Sequence, residues 1–529
     1  MTIHSDWARI LHEECPEAFC AETPNATTAR LEVGVIDGHL QLMCLSAHFQ
    51  SWEGFLCGVF MQPIERLFNA GCTTVVMCFD SYDHVPIYKS MTQLKRVQHA
   101  TTHNNNGGSL VEFGAADDLP TSIPAENTMA YLMNRSFKLK VIELACARLP
   151  QMVMRRGLLH QGPGRRFILD YKTAVEFTAA APTVPMPLPE LASLGESDIK
   201  FIRYVERFGS ALVHAIDGDY MPIALLHYAR HGLRATNQIF LLRHPSILAP
   251  SAAEKKAAAA AAEDADDDDD DNNNNKTTAQ KKKRKRVDIK EEEEDALLLA
   301  VGKGQKTKKA RPKKCWVDMQ LLYLTLSESM RQSLRGLIPL NPRTLAPYTE
   351  GDMIHAAVLF MLCAGTDFSR SLPLVGPKRL WFMLPDVAAA LVQAAPLDGE
   401  LQLPLLCDGV VASLYLGVFG NHLRSKKKKE SKKGKKQPQP PPPPQEEEDI
   451  LAVDDLAGVM RALKLAPRLA PSTRGRLPTH TQVEVTLRNL EWVMHYWSTP
   501  NARVQTPLTG AYGYMRSPTS GAITFSDLA

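Results

Sequence analysis

The sequence predicts an α/β fold with a mostly parallel central sheet flanked by helices. Short apolar runs rich in Val, Ile, Leu, Met and Phe recur along the chain, as buried parallel strands require. Helix-like segments lie between these runs, and this alternation is typical of a parallel sheet. Several runs end directly in carboxylates, as in VGVIDG and ALVHAIDGD. Because open α/β folds bind ligands beyond the carboxyl ends of their strands, these acids indicate the functional edge.

The first part of the folded region supplies two strands and two helices. We expect strands at LEVGVID (31–37) and CTTVVMCFD (72–80), because both are nearly continuous apolar runs. Residues 55–70 lie between them and are predicted to be helical, as are residues 133–154. The polar stretch 101–127 is interrupted by Gly and Pro, which predicts a flexible loop.

Two further strands and two helices follow. RRFILD (165–170) and ALVHAID (211–217) have the composition of strands. Residues 195–209 (GESDIKFIRYVERFG) read as an amphipathic helix with acids in its first turn, where they complement the helix dipole. The segment MPIALLHYARHG is predicted to be the next helix, with Gly232 as its stop.

Two stretches have a composition that cannot bury enough apolar surface to fold alone. The first contains six aspartates at 266–271 and KKKRKR at 281–286, and the second is SKKKKESKKGKKQPQPPPPPQEEE at 425–448. Both are expected to be disordered surface insertions, which cost little stability. The predicted organisation is therefore an N-terminal extension (1–30), a folded region (31–250), an insertion (251–314), a folded region (315–423), an insertion (424–449) and a C-terminal region (450–529).

Composition excludes several classes of protein. The 529 residues carry a net charge of only +3, which divides into separate acidic and basic blocks. The ten cysteines include no CxxC and no zinc-module spacing, and scattered thiols favour a reducing compartment. The first residues lack the apolar core of a signal peptide, and no apolar run is long enough for a membrane span. We therefore expect a soluble intracellular protein with no membrane partner.

The acids that follow the apolar runs form the candidate site. Carboxylates that converge at one sheet edge repel one another unless cations lie between them. Oxygen ligands favour Mg²⁺ or Mn²⁺. The sequence therefore predicts a hard-metal site from a set of seven acids: Asp37, Asp80, Glu196, Asp198, Asp217, Asp219 and Asp367.

The order and contexts of these acids form a series of motifs. An aspartate follows the first strand in VGVIDG (Asp37), and a second ends VVMCFD (Asp80). Two basic residues seven apart, Lys89 and Arg96, follow in IYKSMTQLKR. Next come Gly195-Glu196-Ser197-Asp198 and Asp217-Gly218-Asp219. The series ends with LCAGTDFSRSLPLVGPKR, which contains Asp367 and the turn Gly376-Pro377-Lys378.

This series resembles the flap endonuclease/XPG-type structure-specific 5′ nucleases, which have a PIN-like catalytic core. The resemblance covers roughly 31–100, 190–235 and 350–385. It implies that 31–250 is a PIN-like core with a gateway region at 81–190, and that 315–423 holds further nuclease sequence with a DNA-binding helix–turn–helix.

The resemblance also implies a role for each matched residue. Two Mg²⁺ ions, with Mn²⁺ as a substitute, would clamp the scissile phosphate. Asp37, Asp80, Glu196 and Asp198 would hold the first ion; Asp217, Asp219 and Asp367 would hold the second, with Asp198 bridging. Lys89 and Arg96 would contact the scissile phosphate. The backbone amides of Gly376-Pro377-Lys378 would grip a phosphate of the duplex.

The chain departs from the family pattern at several points. Leu374 replaces the first glycine of the G-I-G turn, which weakens the expected duplex contact. Asp198 replaces the second glutamate of G-E-x-E, so the side chain that carries this carboxylate is one methylene shorter. Residues 101–190 show no match to the second gateway region, and no sliding-clamp motif is recognisable at the C-terminus.

Structural interpretations remain open for the same residues. Asp217-Gly218-Asp219 has the composition of a turn and helix cap. Glu196 and Asp198 would complement a helix dipole without any metal. Lys89 and Arg96 also fit an ordinary solvated helix face, and residues 375–378 fit a plain helix–helix turn.

The basic run KKKRKRV at 281–287 resembles a nuclear localisation signal. It predicts nuclear import through Lys281–Arg286, and the competing interpretation is a loop that adds salt-sensitive affinity for nucleic acid.

The favoured hypothesis is a Mg²⁺-dependent nuclease acting at 5′ ends or branch points of DNA in replication or repair. A 5′→3′ exoribonuclease of the same superfamily is the first alternative, favoured by Leu374. A catalytically inactive nucleic-acid-binding scaffold is the second.

Overall fold

The computed structural model describes a subset of the chain. The described residues are 6–20, 24, 31–46, 48–81, 113–124, 128–180, 186–191, 196–233, 238–243, 315–334, 340–341, 345–365, 377–395, 397, 490, 493–494, 497, 515–517 and 521–523. The predicted insertions at 251–314 and 424–449, and the basic run at 281–287, lie outside them.

A sheet of nine strands forms the centre of the protein. The spatial order of the strands is β1-β9-β8-β7-β2-β3-β4-β5-β6, and a separate hairpin pairs β10 with β11. The strands are β1 (Phe19–Cys20), β2 (Val33–Asp37), β3 (Thr74–Cys78), β4 (Arg166–Asp170), β5 (Ala174–Thr178), β6 (Met186–Pro187), β7 (Ala211–His214), β8 (Ile239–Arg243), β9 (Cys315–Asp318), β10 (Met515–Ser517) and β11 (Gly521–Ile523).

The five central strands are parallel and the outer strands are antiparallel. Strand β2 pairs in parallel with β3 and β7, and these two pair in parallel with β4 and β8. On one side β5 and β6 continue the sheet in antiparallel pairing, and on the other side β9 and β1 do the same. The predicted α/β class is therefore confirmed, and its parallel character is confined to the centre of a mixed sheet.

Helices cover both faces of the sheet. They are α1 (Asp6–Glu14), α2 (Gly38–Leu42), α3 (Trp52–Phe55), α4 (Gln62–Asn69), α5 (Thr128–Met133), α6 (Arg135–Arg155), α7 (Ser197–Phe208), α8 (Tyr220–His231), α9 (Met319–Ser333), α10 (Glu350–Leu362) and α11 (Pro377–Ala394). A π-helical segment, Leu56–Met61, joins α3 to α4, and short 3₁₀ turns occupy Pro16–Ala18 and Leu158–His160.

Alternation along the strands divides the buried side chains into two cores. Val76 and Cys78 of β3 join the core formed with α1 and α7 to α11, whereas Val75, Met77 and the following Phe79 join the core formed with α2 to α6. Successive strand residues point to opposite faces, which produces this division. The central strands are apolar at nearly every position because both faces are covered.

The elements predicted in 31–232 are present with small shifts at their ends. The helix predicted at 55–70 is α3, the π-helical segment and α4, and the helix predicted at 133–154 is α6. The helix α8 ends as expected at Gly232, whose φ of 73° lies in the left-handed region. Within the predicted loop 101–127, the described residues 113–124 contain no helix or strand.

The N-terminal residues, predicted as an extension, contribute to the main core. Trp7 of α1 is fully buried, and its Nε1–H donates to the Met361 carbonyl of α10 at 3.1 Å. Its ring also lies edge-to-face with Trp381 of α11, with 6.4 Å between the centroids. In addition, β1 pairs with β9, which follows the long insertion. Residues from both ends of the chain therefore close one core.

The C-terminal region also reaches this core. Leu490, Val493, Met494 and Trp497 are buried within it. The helix–turn–helix predicted for 315–423 remains a prediction, because residues 366–376 between α10 and α11 lie outside the described residues. Within the described chain, none of the helices combines the length and the apolar character needed to cross a membrane.

Trp7→Ala should destabilise the protein by about 3–5 kcal/mol, the usual cost of removing a buried tryptophan. Leu324→Ala is the matched control, because Leu324 is 45% exposed on α9 and should change the free energy of unfolding by less than about 0.5 kcal/mol. Urea unfolding of the full chain measures both. Equal stability of Trp7→Ala and wild type would show that α1 does not pack as described.

Candidate metal centre at the carboxyl edge of the sheet

The register of the parallel strands brings several predicted acids to one edge. Asp37, the last residue of β2, is paired with Cys78 of β3, and Ile36 is paired with His214 of β7. Asp80 and Asp217 follow these strand ends by two and three residues. From β2 the chain passes to β3 on one side and later returns to β7 on the other. The edge beside β2 is therefore the topological switch point at which such folds bind ligands.

Asp37 lies at the centre of this edge and is 5% exposed. Its Oδ1 accepts hydrogen bonds from the Leu40 amide at 3.0 Å and the Ser197 hydroxyl at 3.1 Å. The pKa of Asp37 is raised from 3.8 to about 7, chiefly by burial and then by the charges of Asp80 and Asp217, against the two hydrogen bonds. The folded protein therefore places a carboxylate where a proton or a cation stabilises it.

Asp80 is held from two sides. Its Oδ1 accepts from the Ser197 amide at 2.9 Å, and its own amide donates to His39 Nδ1 at 3.2 Å. Because Nδ1 accepts, a neutral His39 carries its proton on Nε2, which lies 3.7 Å from Asp80 Oδ2. The Nε2 atom of His39 therefore lies near the Asp80 carboxylate but beyond hydrogen-bond distance from it.

The start of α7 adds two carboxylates, and both are buried. Glu196 is the N-cap residue, but its side chain makes no capping hydrogen bond, and Asp198 lies in the first turn. The Tyr220 hydroxyl donates to Ser197 Oγ at 3.4 Å. Burial raises the pKa of Tyr220, and the charges of Asp37 and Asp198 raise it further. The negative charges of Asp198 and Asp37 therefore both influence the buried Tyr220 hydroxyl. Asp198, in the first turn of α7, thus lies near Asp37, at the end of β2.

The Asp217-Gly218-Asp219 segment forms the turn that enters α8. Asp217 Oδ1 accepts from the Asp219 amide at 3.3 Å, so the local turn interpretation describes part of its geometry. Asp219 is the N-cap residue and is buried, yet its side chain makes no capping hydrogen bond. Buried Arg243 of β8 donates through Nη1 to the carbonyls of Ile216 and Asp217 at 2.8 and 2.5 Å. Burial lowers the pKa of Arg243, and the charges of Asp217 and Asp219 oppose this shift.

The structure thus brings six of the seven predicted acids to one region: Asp37, Asp80, Glu196, Asp198, Asp217 and Asp219. Asp367, Lys89, Arg96 and Gly376 lie outside the described residues. Pro377 is buried at the start of α11, and Lys378 beside it is exposed.

The donor chemistry of this edge fits a hard divalent cation. Every candidate ligand is a carboxylate, most are buried, and the like charges raise the pKa of Asp37. The oxygens of these carboxylates are nevertheless farther apart than the ligand atoms around one bound metal ion. In the part of the chain that the structure describes, no three of them bring ligand oxygens within 4.8 Å of one another. Metal binding therefore requires the side chains to turn inwards.

Lys200 is a residue that sequence reasoning missed. Its Nζ, buried on α7, lies at hydrogen-bond distance from four acceptors: Phe79 O at 2.8 Å, Ser81 Oγ at 2.9 Å, Asp170 Oδ1 at 2.8 Å and Tyr171 O at 2.9 Å. Tyr204 on the same helix donates to Asp170 Oδ2 at 2.8 Å. One ammonium thus joins the ends of β3 and β4 to α7. The only sequence signal is a lysine on a helix face that also carries Tyr204.

Neither a scan against models of protein families nor a search of curated proteins finds a match to this chain.

The raised pKa of Asp37 predicts a pH dependence of stability. Between pH 3.8 and about 7 the folded state binds a proton that the unfolded state releases. Its contribution is complete below the unfolded pKa and is lost as the pH rises through the folded pKa. Asp37→Asn keeps the oxygen that accepts from Leu40 and Ser197 but has no proton to lose. Without divalent cations, the free energy of unfolding of the variant relative to wild type should therefore increase by about 2–4 kcal/mol from pH 4 to pH 8.

Urea unfolding over this pH range measures the difference, and Asp118→Asn, at an exposed site, is the control. A constant difference between Asp37→Asn and wild type at every pH would contradict the predicted burial of charge.

Lys200→Met should cost about 3–5 kcal/mol, because it leaves the Asp170 carboxylate buried without its partner. The double variant Lys200→Met/Asp170→Asn should recover part of this loss, since the amide oxygen still accepts from Tyr204 and carries no charge. The free energies of unfolding of wild type, the single variant and the double variant at pH 7 measure the loss and the recovery. A double variant less stable than Lys200→Met would rule out an unpaired charge as the cause.

Proposed function

We propose that this protein is a Mg²⁺-dependent structure-specific 5′ nuclease that hydrolyses branched or 5′-ended DNA. The observation that carries the proposal is the convergence of the acids at the switch point of the sheet. Asp37 ends β2, Asp80 and Asp217 follow the adjacent strands β3 and β7, and the starts of α7 and α8 add Glu196, Asp198 and Asp219. Their order along the chain is that of the flap endonuclease/XPG-type motifs, and a PIN-like core is part of the same proposal.

The chemistry requires an attacking water and a leaving oxygen whose negative charge is neutralised. When bound, two Mg²⁺ ions would supply both, and Mn²⁺ would substitute. Asp37, Asp80, Glu196 and Asp198 would hold the first ion; Asp217, Asp219 and Asp367 would hold the second, with Asp198 shared between them.

Other side chains of the edge would position these ligands. Ser197 holds the carboxylates of Asp37 and Asp80 at once, through its hydroxyl and its amide. Arg243 fixes the backbone of the turn that carries Asp217. Such hydrogen bonds limit the rotation of the acids, as outer partners of metal ligands do.

Basic groups would bind the nucleic acid. Lys89 and Arg96 would stabilise negative charge on the scissile phosphate, and the Gly376-Pro377-Lys378 turn would hold a phosphate of the duplex. Lys378 is exposed at the start of α11, an 18-residue helix, where the helix dipole also favours an anion. Nuclear import through Lys281–Arg286 and a role in replication or repair belong to the same proposal.

Specific observations favour two alternatives. Leu374 in place of glycine would weaken the contact expected with duplex DNA, which favours a 5′→3′ exoribonuclease. The wide spacing of the described carboxylates favours an inactive nucleic-acid-binding scaffold. Substrate choice and dependence on the acids separate these from the DNA nuclease.

Purified full-length protein should cleave 5′-flap DNA in Mg²⁺ faster than blunt duplex or single-stranded RNA. Asp219→Asn removes a ligand charge at nearly constant volume, so it should slow single-turnover cleavage by more than about 100-fold. Glu328→Gln is the matched control, because Glu328 pairs only with exposed groups on and near α9 and should leave the rate unchanged. Thermal unfolding confirms that both variants are folded.

Each other outcome selects a different conclusion. Cleavage of RNA alone, lost in Asp219→Asn, would establish the exoribonuclease. Binding of DNA without cleavage in Mg²⁺ or Mn²⁺, unchanged by Asp219→Asn, would establish the scaffold. Cleavage that persists in Asp219→Asn would reject the acidic edge as the active site.

A further inference from the structure

A second group of metal-ligating side chains lies away from the acidic edge. Glu206 near the end of α7 faces His227 and His231 in the last turns of α8, and one ligand atom from each lies within 4.8 Å of the other two. Among the described residues no other group of three His, Cys, Asp or Glu side chains meets this limit. We name this set the His–His–Glu triad.

The geometry of the triad follows from helix periodicity. Residues four apart lie on the same helix face, so His227 and His231 are neighbours, with 4.9 Å between their ring centroids. Glu206 Oε1 lies 3.8 Å from His227 Nδ1 and 3.8 Å from His231 Nε2. One carboxylate oxygen therefore lies at the same distance from the facing nitrogens of both rings.

These distances suit a cation between the three groups. In a tetrahedral site with bonds of about 2.0–2.1 Å, ligand atoms lie roughly 3.3 Å apart. The two distances of 3.8 Å, and a spacing of no more than 4.8 Å between the histidine ligand atoms, need an inward movement of Glu206, whose side chain is 40% exposed, and of His231, whose side chain is 41% exposed. The buried His227 provides the fixed member of the set.

An ordinary pair of surface contacts is the competing explanation. Protonated histidines near the end of α8 would be attracted by Glu206 and by the helix dipole. At 3.8 Å, however, neither ring makes a hydrogen bond to the carboxylate. Three ligand atoms from two helices lie within 4.8 Å of one another, and both carboxylate–imidazole distances are longer than a hydrogen bond, which fits a shared cation better than two separate ion pairs.

We propose that the His–His–Glu triad binds a transition metal of the Zn²⁺ class. Two imidazoles and a carboxylate are ligands that suit Zn²⁺, whereas Mg²⁺ prefers oxygen alone. Three protein ligands leave a fourth position for water at the exposed end of the group. The site does not depend on the nuclease function proposed above.

A metal bound at the triad would join α7 to α8. The helices α7 and α8 carry Asp198 and Asp219 at their starts and the triad near their ends. The eight residues from Asp198 to Glu206 span about 12 Å of helix. A metal at the triad would therefore join the two helices that supply acids to the edge, at a distance that prevents it from sharing those acids.

The test uses full-length protein without a histidine tag. Titration with Zn²⁺, followed by calorimetry and by metal analysis after dialysis, should give one bound ion that excess Mg²⁺ does not displace. Co²⁺ should give the visible absorption of a four-coordinate site containing nitrogen ligands. His231→Gln and Glu206→Gln each remove a direct ligand of the proposed site. Loss of an outer partner of a metal ligand weakens binding by roughly 10- to 100-fold, so each of these variants should weaken Zn²⁺ binding by more than that.

Two controls make the result specific. Asp219→Asn, at the acidic edge, and His160→Gln, at an exposed histidine outside the triad, should bind Zn²⁺ as wild type does. Zn²⁺ should also raise the unfolding temperature of wild type but not that of His231→Gln, which reports binding to the folded state. Because both triad substitutions are at exposed side chains, the variants should fold, and circular dichroism verifies this.

Either of two results would overturn the proposal. The first is an absence of stoichiometric Zn²⁺ binding by folded wild type. The second is Zn²⁺ binding of equal affinity in His231→Gln and Glu206→Gln, which would assign the ion to other ligands.

Discussion

One buried ammonium group supports the arrangement of the whole acidic edge. Lys200 Nζ contacts the backbone or side chains of four residues at the ends of β3 and β4. Two of these, Phe79 and Ser81, flank Asp80, and Lys200 itself lies one turn beyond Ser197. The strand that carries Asp80 and the helix that carries Ser197 and Asp198 are therefore fixed to each other by one cation. Removing that cation from this buried site would leave several acceptors and a carboxylate unpaired.

Repulsion between the like charges of the acidic edge acts against this stabilisation. Burial raises the pKa of Asp37, and the charges of Asp80 and Asp217 raise it further across adjacent strand ends. Ser197, His39 and Arg243 offset part of that cost through hydrogen bonds to the acids or to their backbone. The result is a region of negative charge that a divalent cation would stabilise, which is the physical basis of the proposed function. The same helices end in a set of nitrogen and oxygen ligands of different chemistry, so two metal types would have separate sites.

Much of the fold could be predicted because the central strands are apolar on both faces. That composition identified β2, β3, β4 and β7, and the helices between them followed from their amphipathic pattern. The strands β1, β5, β6, β8 and β9 were not predicted; β1 and β6 have only two residues each, and β9 directly follows low-complexity sequence. The pairing of β1 with β9 joins residues 19–20 to 316–317, and no local pattern encodes such a contact. Trp7 was likewise assigned to an extension, since a nine-residue helix has too few turns to reveal its buried face.

The identity of the acidic residues, their order, and their position at strand ends or helix starts can all be read from the amino-acid sequence. These properties are local, and the backbone periodicity of strands and helices makes them readable. The partners of these residues depend on the folded chain: the four acceptors of Lys200, the two acids that accept from Ser197, and the contact of Glu206 with His227 and His231. Each of these contacts depends on strand order and on the packing of α7 against α8. Because buried polar groups must find partners wherever the chain brings them together, their pairing is a property of the assembled fold.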